Sequence, residues 1–317
     1  MKKFIALMLA LCVAPIAGLA EAAEPSATSG VPAVYMTTKI TPEALMDIYK
    51  ALGREATGSV AVKISTGEPG GENYLSPDLI KGLVQSVNGT IVECNTAYGG
   101  SRMETAMHYQ VAEDHGFTAI ANVDIMDGDG TMSLPLAGGT HLKEDVVGSH
   151  YANYDFFVVL SHFKGHAMGG FGGAIKNMSI GIASSMGKSL IHSAGKSTTG
   201  FGMGTPQDDF LESMAEAAKA VADDRGDKIL YISVMNNLSV DCDCDSHPAE
   251  PTMADIGILA SLDPVALDQA CVDLVYSAPD GKDLIQRIES RNGIHTLEHA
   301  EEIGLGSRAY NLVSIDG

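Results

Sequence analysis

The chain has 317 residues, a formal net charge of −20 at pH 7 and no tryptophan. An excess of negative charge repels the phosphates of nucleic acids and anionic membrane surfaces, and the sequence has no basic run that would offset it. The composition therefore argues against a nucleic-acid-binding protein. A chain of this length can bury a large core, either as one big domain or as two lobes.

The N-terminus has the features of an export signal. Two lysines precede an apolar run at Phe4–Ala20, and the residues AEA then match the small-x-small pattern of a cleavage site. The run is short for a membrane-spanning helix, and Pro15 interrupts it. We predict a signal peptide at 1–22 that is cleaved after Ala22, followed by a flexible mature N-terminus at 23–32. The protein would then be periplasmic or extracellular, without membrane insertion after cleavage.

Strand-like and helix-like stretches alternate along the rest of the chain. Strands are predicted at 34–37, 59–64, 90–94, 118–124, 155–160, 228–235, 256–260 and 310–315. Helices are predicted at 41–52, from 76 onward, and at 102–115, 207–223, 263–276, 281–291 and 295–303. This order predicts an α/β fold, with a mostly parallel sheet and helices on both faces. We place two lobes at 33–150 and 151–317.

Residues 161–192 are the segment richest in functional side chains. The stretch SHFKGHAMGGFGGAIKNMSIGIASSMGKSLIH contains three histidines, three lysines and seven glycines, and it directly follows a predicted buried strand. Ligands of α/β sheets bind just beyond the carboxyl ends of strands. Neither nucleotide-binding motif fits, because the first Walker glycine would fall at Ile182 and the glycines at 200–204 lack the dinucleotide spacing.

The side chains of this segment predict a binding or catalytic site. Histidine can ligate a metal or act as a general base, and a buried lysine can act as a nucleophile or bind a carboxylate. The backbone of a glycine-rich loop can approach a cofactor closely, which makes Gly169, Gly170, Gly172 and Gly173 candidate cofactor contacts. Arg102 is a candidate carboxylate clamp. The alternative is that these side chains cap strands and pair with surface carboxylates.

A second group of soft ligands lies in the sequence CDCDSH. Cys242, Cys244 and His247 offer thiolate and imidazole donors, which suit zinc, iron or copper(I). The spacing lacks the two-residue gap of zinc knuckles, so Cys94, His162 or His166 would have to complete a site through the fold. The alternative is a polar loop with free or oxidised thiols.

Several motifs together resemble the domain of unknown function 362 family. They are the stretch at 161–192, AYGGSR at 97–102, CDCDSH at 242–247 and DIGILASLDPVALDQA at 255–270. Many members carry a ferredoxin-like insertion with two four-cysteine iron–sulfur motifs after the residue that matches His192. This chain has a short Gly/Ser/Thr linker without cysteine at 193–209, so no ferredoxin-type cluster motif is present.

The glycine-rich stretch is also similar, more distantly, to the catalytic segment of the nickel-pincer lactate racemase family. The resemblance implies that His166 is the histidine acid/base, Lys176 the lysine bonded to the pincer cofactor, and His192 the metal-ligating histidine. The second catalytic histidine of that family falls at Ser101. Racemisation needs bases on both faces of a carbon, so the resemblance favours a one-sided proton or hydride transfer here.

The leading hypothesis is a metal- or metallo-cofactor-dependent enzyme that acts on a small organic acid, with nickel, iron or zinc as the metal. Its catalytic residues would be His166, Lys176 and Arg102, and its metal ligands His192, Cys242, Cys244 and His247. We expect the imidazoles and the amine of residues 166, 176 and 192 to converge beside one strand terminus. The alternatives are a non-catalytic metal or iron–sulfur carrier that uses the CDCDSH loop, and an exported binding protein for small anions.

Overall fold

The part of the chain that the structure describes follows the predicted alternation of strands and helices. The computed structural model describes residues 30–202 and 204–317. The predicted signal peptide at 1–22 lies outside these residues, as does the predicted flexible N-terminus except for residues 30–32. Within the described ranges, no helix combines the length and the apolar character that a membrane span requires.

Most elements begin and end within a few residues of their predicted positions. The strands are β1 (Ala33–Thr37), β2 (Val60–Lys63), β3 (Thr90–Glu93), β4 (Val123–Ile125), β5 (Thr131–Pro135), β6 (Glu144–Gly148), β7 (Phe156–His162), β8 (Lys164–His166), β9 (Gly170–Gly172), β10 (Ile229–Met235), β11 (Gly257–Ser261) and β12 (Asn311–Ser314). The α-helices are α1 (Pro42–Ala51), α2 (Pro77–Ser86), α3 (Thr105–Asp114), α4 (Ala174–Met178), α5 (Ser185–His192), α6 (Gln207–Arg225), α7 (Pro264–Ser277), α8 (Lys282–Ser290) and α9 (His295–Glu302).

The strand predicted at 118–124 is wrong over most of its length. A short 3-10 helix occupies Phe117–Ala119, and β4 begins only at Val123. Gly116 has a φ of 83°, so the chain turns sharply after α3. This turn buries the Phe117 side chain completely before the strand starts.

Eight strands form one central sheet in the order β12-β1-β11-β10-β7-β2-β3-β4. Every neighbouring pair is parallel except the two pairs that involve β11, which confirms the predicted mostly parallel sheet. Two antiparallel pairs, β5 with β6 and β8 with β9, lie outside it. The sheet takes strands from both sides of residue 150, and the division into lobes at 33–150 and 151–317 stays a prediction.

Helices cover both faces of the sheet, as predicted. All seven residues of β7 are buried, a pattern typical of strands covered on both faces. Phe157 and Val159 belong to a core cluster that includes side chains of α4 to α9, whereas Phe156, Val158 and Leu160 belong to a second cluster with α1 to α3. Each large apolar side chain in these clusters contributes about 1.5–3 kcal/mol through burial.

The topology brings three polar strand ends together. Lys63, Glu93 and His162 are the last residues of β2, β3 and β7. These three strands are parallel neighbours, so their carboxyl ends meet at one edge of the sheet. The β8–β9 hairpin and α4 follow directly from β7 at this edge, which is where ligands bind in α/β sheets.

Candidate functional site

A cavity of about 110 Å³ lies at this edge of the sheet. The ionisable side chains that line it are Lys63, Glu93, Cys94, Tyr98, Arg102, His162, Lys164, His166, Lys176, Lys188, His192 and Cys244. The structure therefore brings His166, Lys176 and His192 to one cavity. A wider cleft adjoins it and shares His166 and Cys244 as lining residues; Ser101 lies in that cleft.

The glycines of residues 161–192 serve packing as much as access to the cavity. Gly172 and Gly173 line the cavity, whereas Gly169 and Gly170 do not. Gly170 has a φ of 80°, and a Cβ there would lie 3.0 Å from Cα of Gly293. A Cβ on Gly165 would lie 2.2 Å from the carbonyl oxygen of Val240. The glycines thus let the β8–β9 hairpin contact α8 and the 236–254 loop through its backbone.

Asp268 of α7 orients the short helix α4, which carries Lys176. Its carboxylate accepts hydrogen bonds from the backbone N–H groups of Ala174 (2.7 Å) and Ile175 (2.9 Å). A Cβ on Gly173 would lie 2.3 Å from this carboxylate, so only glycine permits the contact. Burial raises the pKa of Asp268 to about 7. Sequence reasoning missed this residue, although it lies in the DPVALDQA motif.

His166 is held in the tautomer that carries its proton on Nε2. The backbone N–H of Gly169 donates to His166 Nδ1 at 2.9 Å, and a backbone N–H can only donate, so Nδ1 must be the acceptor. Burial, with Lys176 nearby, holds the pKa of His166 well below its ordinary value, so the ring is neutral. A neutral ring that accepts at Nδ1 carries its hydrogen on Nε2 and is a hydrogen-bond donor there.

His192 is held in the opposite tautomer. Its Nδ1 lies 2.7 Å from the carbonyl oxygen of Lys188, which can only accept, so Nδ1–H donates. Burial lowers the pKa of His192 to about 4, which leaves a lone pair on Nε2. The ring is packed between Phe201 and Phe210, with centroid distances of 4.4 and 5.0 Å. Metal-binding histidines commonly have this arrangement, with the second nitrogen donating to a carbonyl group.

Cys242 and Cys244 lie beside His166. One ring nitrogen of His166 and the two Sγ atoms all lie within 4.8 Å of one another. Lys176 Nζ lies 3.8 Å from Cys242 Sγ. A hydrogen bond from the Cys244 thiol, together with Lys176, lowers the pKa of Cys242 well below its ordinary value although burial opposes this. All four cysteines of the described residues are free thiols.

His247 does not join this group. Its side chain is exposed, and Nδ1 lies 2.9 Å from the hydroxyl of Ser246. The backbone N–H of His247 donates to Asp245, which turns the chain toward solvent after the cysteines. The predicted ligand set of His192, Cys242, Cys244 and His247 is therefore not assembled as a whole. The imidazole that lies beside the two thiols is that of His166 and not that of His247.

Asp243 anchors the cysteine loop to the sheet, and sequence reasoning missed it. Its buried carboxylate accepts from His162 Nδ1 at 2.8 Å and from Lys164 Nζ at 2.7 Å. The other nitrogen of His162 lies 2.6 Å from the carbonyl oxygen of Asn236. His162 thus links the cysteine loop and the end of β10 to β7 through its two ring nitrogens. The alternation of Asp with Cys in CDCDSH is the signal that points to this role.

Arg102 lies in the cavity wall, but its guanidinium is bound by protein groups. Nε donates to Glu68 at 2.8 Å, one terminal nitrogen lies 2.9 Å from the Tyr98 hydroxyl, and the other lies 3.4 Å from Glu93. Lys63 donates to the same Glu93 at 2.8 Å. These buried ion pairs leave little of Arg102 for a substrate carboxylate, so the geometry gives the predicted clamp role little support.

Lys188 of α5, unlike Lys63 and Arg102, has no carboxylate partner among the described residues. It is 7% exposed, and Nζ donates to the carbonyl oxygens of Ala183 at 2.6 Å and Cys94 at 3.4 Å. It forms no ion pair with any carboxylate of the described residues. Asp145, which is 1% exposed, has no side-chain hydrogen-bond partner within the described residues. Burial raises the pKa of Asp145 to about 8, although the nearby Lys188 ammonium opposes this.

Replacing Asp145 with Asn should stabilise the protein at slightly alkaline pH. The folded-state pKa of Asp145 lies above its ordinary value of 3.8, so its contribution to stability is fully present below pH 4 and is lost as pH rises toward 8, because the carboxyl ionises freely only in the unfolded chain. Relative to the wild type, we expect Asp145→Asn to gain roughly 2–4 kcal/mol between pH 4 and pH 8. Urea denaturation at both pH values measures this difference. The exposed control Asp227→Asn should show no such gain, and parallel curves for wild type and Asp145→Asn would contradict the prediction.

The sequence profile of the domain of unknown function 362 (DUF362) family matches residues 60–273. The chain therefore belongs to this family, as the sequence motifs predict. A search of curated proteins found no match.

Among solved structures, the chain is similar to the lactate racemase apoprotein from Thermoanaerobacterium thermosaccharolyticum, with 15% identity and a TM-score of 0.39 over 64% of this chain and 50% of that chain. It is also similar to a protein from Thermotoga maritima, with 11% identity and a TM-score of 0.43 over 82% of this chain and 58% of that chain. The chain thus spans between half and three-fifths of the lengths of these two proteins.

Proposed function

We propose that the protein is an exported, metal-dependent enzyme that transfers a proton or hydride on a small organic anion. The observation that carries the proposal is that the thiols of Cys242 and Cys244 lie within 4.8 Å of each other and of a ring nitrogen of His166, at a lysine-rich cavity that His192 also lines. Thiolate and imidazole are donors that zinc, nickel and iron accept in proteins. The export signal at 1–22 is part of the same proposal.

The tautomers suggest which imidazole binds the metal. His192 has a free Nε2 lone pair and donates its other N–H to a carbonyl group, so it suits a ligand. In His166 the Gly169 N–H occupies the Nδ1 lone pair, so the ring offers a substrate a hydrogen bond from Nε2–H rather than a free lone pair to a metal. We therefore assign the metal to Cys242, Cys244 and His192. His166 would orient the substrate through Nε2–H and would take up a proton only when Nδ1 releases the Gly169 N–H.

Lys176 supplies the positive charge next to the thiols. Its Nζ contacts Cys242 Sγ and forms no ion pair with a carboxylate of the described residues, so the amine is available to a substrate or a cofactor. The resemblance to the nickel-pincer family implies that this lysine carries an organic nickel cofactor, which would supply hydride-accepting chemistry. The cavity residues would orient the anion and exclude water.

Metal analysis of protein purified without oxygen tests the assignment. We expect a stoichiometric transition metal in the wild type and its loss in Cys242→Ala and His192→Ala. His166→Gln distinguishes the two imidazoles: retained metal supports His192 as the ligand, whereas metal lost in His166→Gln and kept in His192→Ala would assign the site to His166 instead. Cys271→Ala, which removes a buried thiol of α7, is the matched control and should keep the metal. If metal content is the same in all variants, the metal assignment is wrong. Stoichiometric metal without turnover of any small organic acid would favour the carrier alternative.

A further inference from the structure

We infer that the anion in this cavity is a small dianion, and that Lys188 holds its second acidic group. The inference rests on the proposed function, because it takes the metal and Lys176 as the first binding point. It extends that function by naming the charge of the substrate. The class comprises short dicarboxylates and phosphorylated acids, which share two separated anionic groups.

The charges of the cavity do not balance without a ligand. Lys63 and Arg102 are paired with Glu93 and Glu68, and these two ion pairs are nearly inaccessible to solvent. Lys164 is paired with Asp243, which also accepts from His162. Lys176 and Lys188 remain, and neither forms an ion pair with a carboxylate of the described residues.

Lys188 is the ammonium group that most needs a counter-charge. Its two hydrogen-bond acceptors are neutral carbonyl groups, and its third N–H has no assigned acceptor among the described residues. A buried ammonium without a negative partner carries a large desolvation cost. Asp145 does not neutralise it, because it forms no ion pair with Lys188 and burial favours its protonated form.

Lys176 lacks a negative partner once a metal is bound. In the metal-free protein, the contact of Lys176 Nζ is with Cys242 Sγ, 3.8 Å away, and not with a carboxylate of the described residues. A divalent metal bound by the two thiolates neutralises them, which frees the Lys176 ammonium for the substrate. The metal-loaded cavity therefore presents two ammonium groups, one on α4 and one on α5. A monoanion would leave one of them unpaired.

The size of the cavity favours a short ligand. A volume of about 110 Å³ holds a few water molecules or a compact acid. Charge-assisted hydrogen bonds from buried ammonium groups to carboxylates are strong and selective. Length should therefore matter as well as charge, because both carboxylates must reach their ammonium groups from inside one small chamber.

The test compares acids of equal length by calorimetry on the metal-loaded protein. The pairs are malonate with propionate and succinate with butyrate. We expect at least one dicarboxylate to bind about 10-fold or more tightly than its monocarboxylate, since hydrogen bonds to charged groups are worth about 1.5–3 kcal/mol. Lys188→Met should abolish this preference, whereas Lys188→Arg should retain it. The exposed control Lys196→Met should retain it in full.

Equal affinities within both pairs in the wild type, or a preference that survives in Lys188→Met, would overturn the inference. If Lys188→Met fails to fold, Lys188→Gln replaces it, since an amide can still donate to the two carbonyl groups, and a wild type without the preference overturns the inference without any variant. Metal content measured on the same preparations separates the two proposals. Metal-loaded protein without a dicarboxylate preference overturns only the dianion inference, whereas unchanged metal in Cys242→Ala overturns the proposed function.

Discussion

Replacing Asp243 with Asn should destabilise the protein by about 3–5 kcal/mol, because removing one partner of a buried ion pair leaves an uncompensated buried charge. The neutral amide would leave the His162 ring and the Lys164 ammonium without their shared carboxylate. The loop with Cys242 and Cys244 would lose its attachment to β7 and β8. We therefore expect faster reaction of these thiols with a thiol-specific reagent, together with a lower urea midpoint.

The exposed control Asp245→Asn, in the same loop, should change stability far less.

The dependence of the free energy of unfolding on pH in the acid range provides a further test. His162 and Lys164 hold the pKa of Asp243 well below its ordinary value of 3.8 although burial opposes this. Its contribution is therefore present above pH 4 and is lost as pH falls. A variant with unchanged stability and unchanged thiol reactivity would show that Asp243 does not anchor the loop.

Replacing Glu93 with Gln should have an effect of similar size, about 3–5 kcal/mol. Glu93 accepts from Lys63 at 2.8 Å and from the backbone N–H of Thr66 at 2.8 Å, and Arg102 lies 3.4 Å away. Although burial opposes ionisation, Lys63 and Arg102 lower the pKa of Glu93 to about 2. The stabilisation is present above pH 4.5 and is lost as pH falls toward 2.

Urea denaturation of Glu93→Gln at pH 7 and pH 3 measures this effect. The difference from wild type should be large at pH 7 and smaller at pH 3, because at pH 3 Glu93 is protonated in the unfolded chain and this already favours unfolding of the wild type. The matched control Glu113→Gln removes an exposed carboxylate of α3 and should change stability little at either pH. A difference that is independent of pH would mean that shape rather than charge makes Glu93 important.

The sequence predicts the central sheet well because its strands are long apolar runs between clear helix signals. β7 and β10 have seven buried residues each, and Asp263 and Thr41 cap helices where the sequence places them. The elements within 161–192 were not predicted, because they are short and depend on distant partners. α4 has five residues and begins where Asp268 accepts its first N–H groups.

The candidate site, like the fold, is predicted by the sequence only where it depends on residues that are close along the chain. The spacing of His166, Lys176 and His192 pointed to one cavity, since all three follow one strand end. The sequence offered no means of pairing Asp243 with His162 or of leaving Lys188 unpaired, because those relations arise between separate elements. His247 was favoured as a ligand because it follows the cysteines closely, yet the chain turns it toward solvent. Proximity in sequence was a poor guide there.

The contact between Asp268 and α4 has a consequence for how the protein is made. It joins residues 94 positions apart, and the contact of His162 with Asp243 joins residues 81 positions apart. Closing such long loops is entropically costly and comes late in folding. A chain that ended before α7 would contain every residue of the His–Lys–His segment but would lack the carboxylate that holds its lysine in place. The cavity therefore takes its final form only once Asp268 of α7 contacts α4.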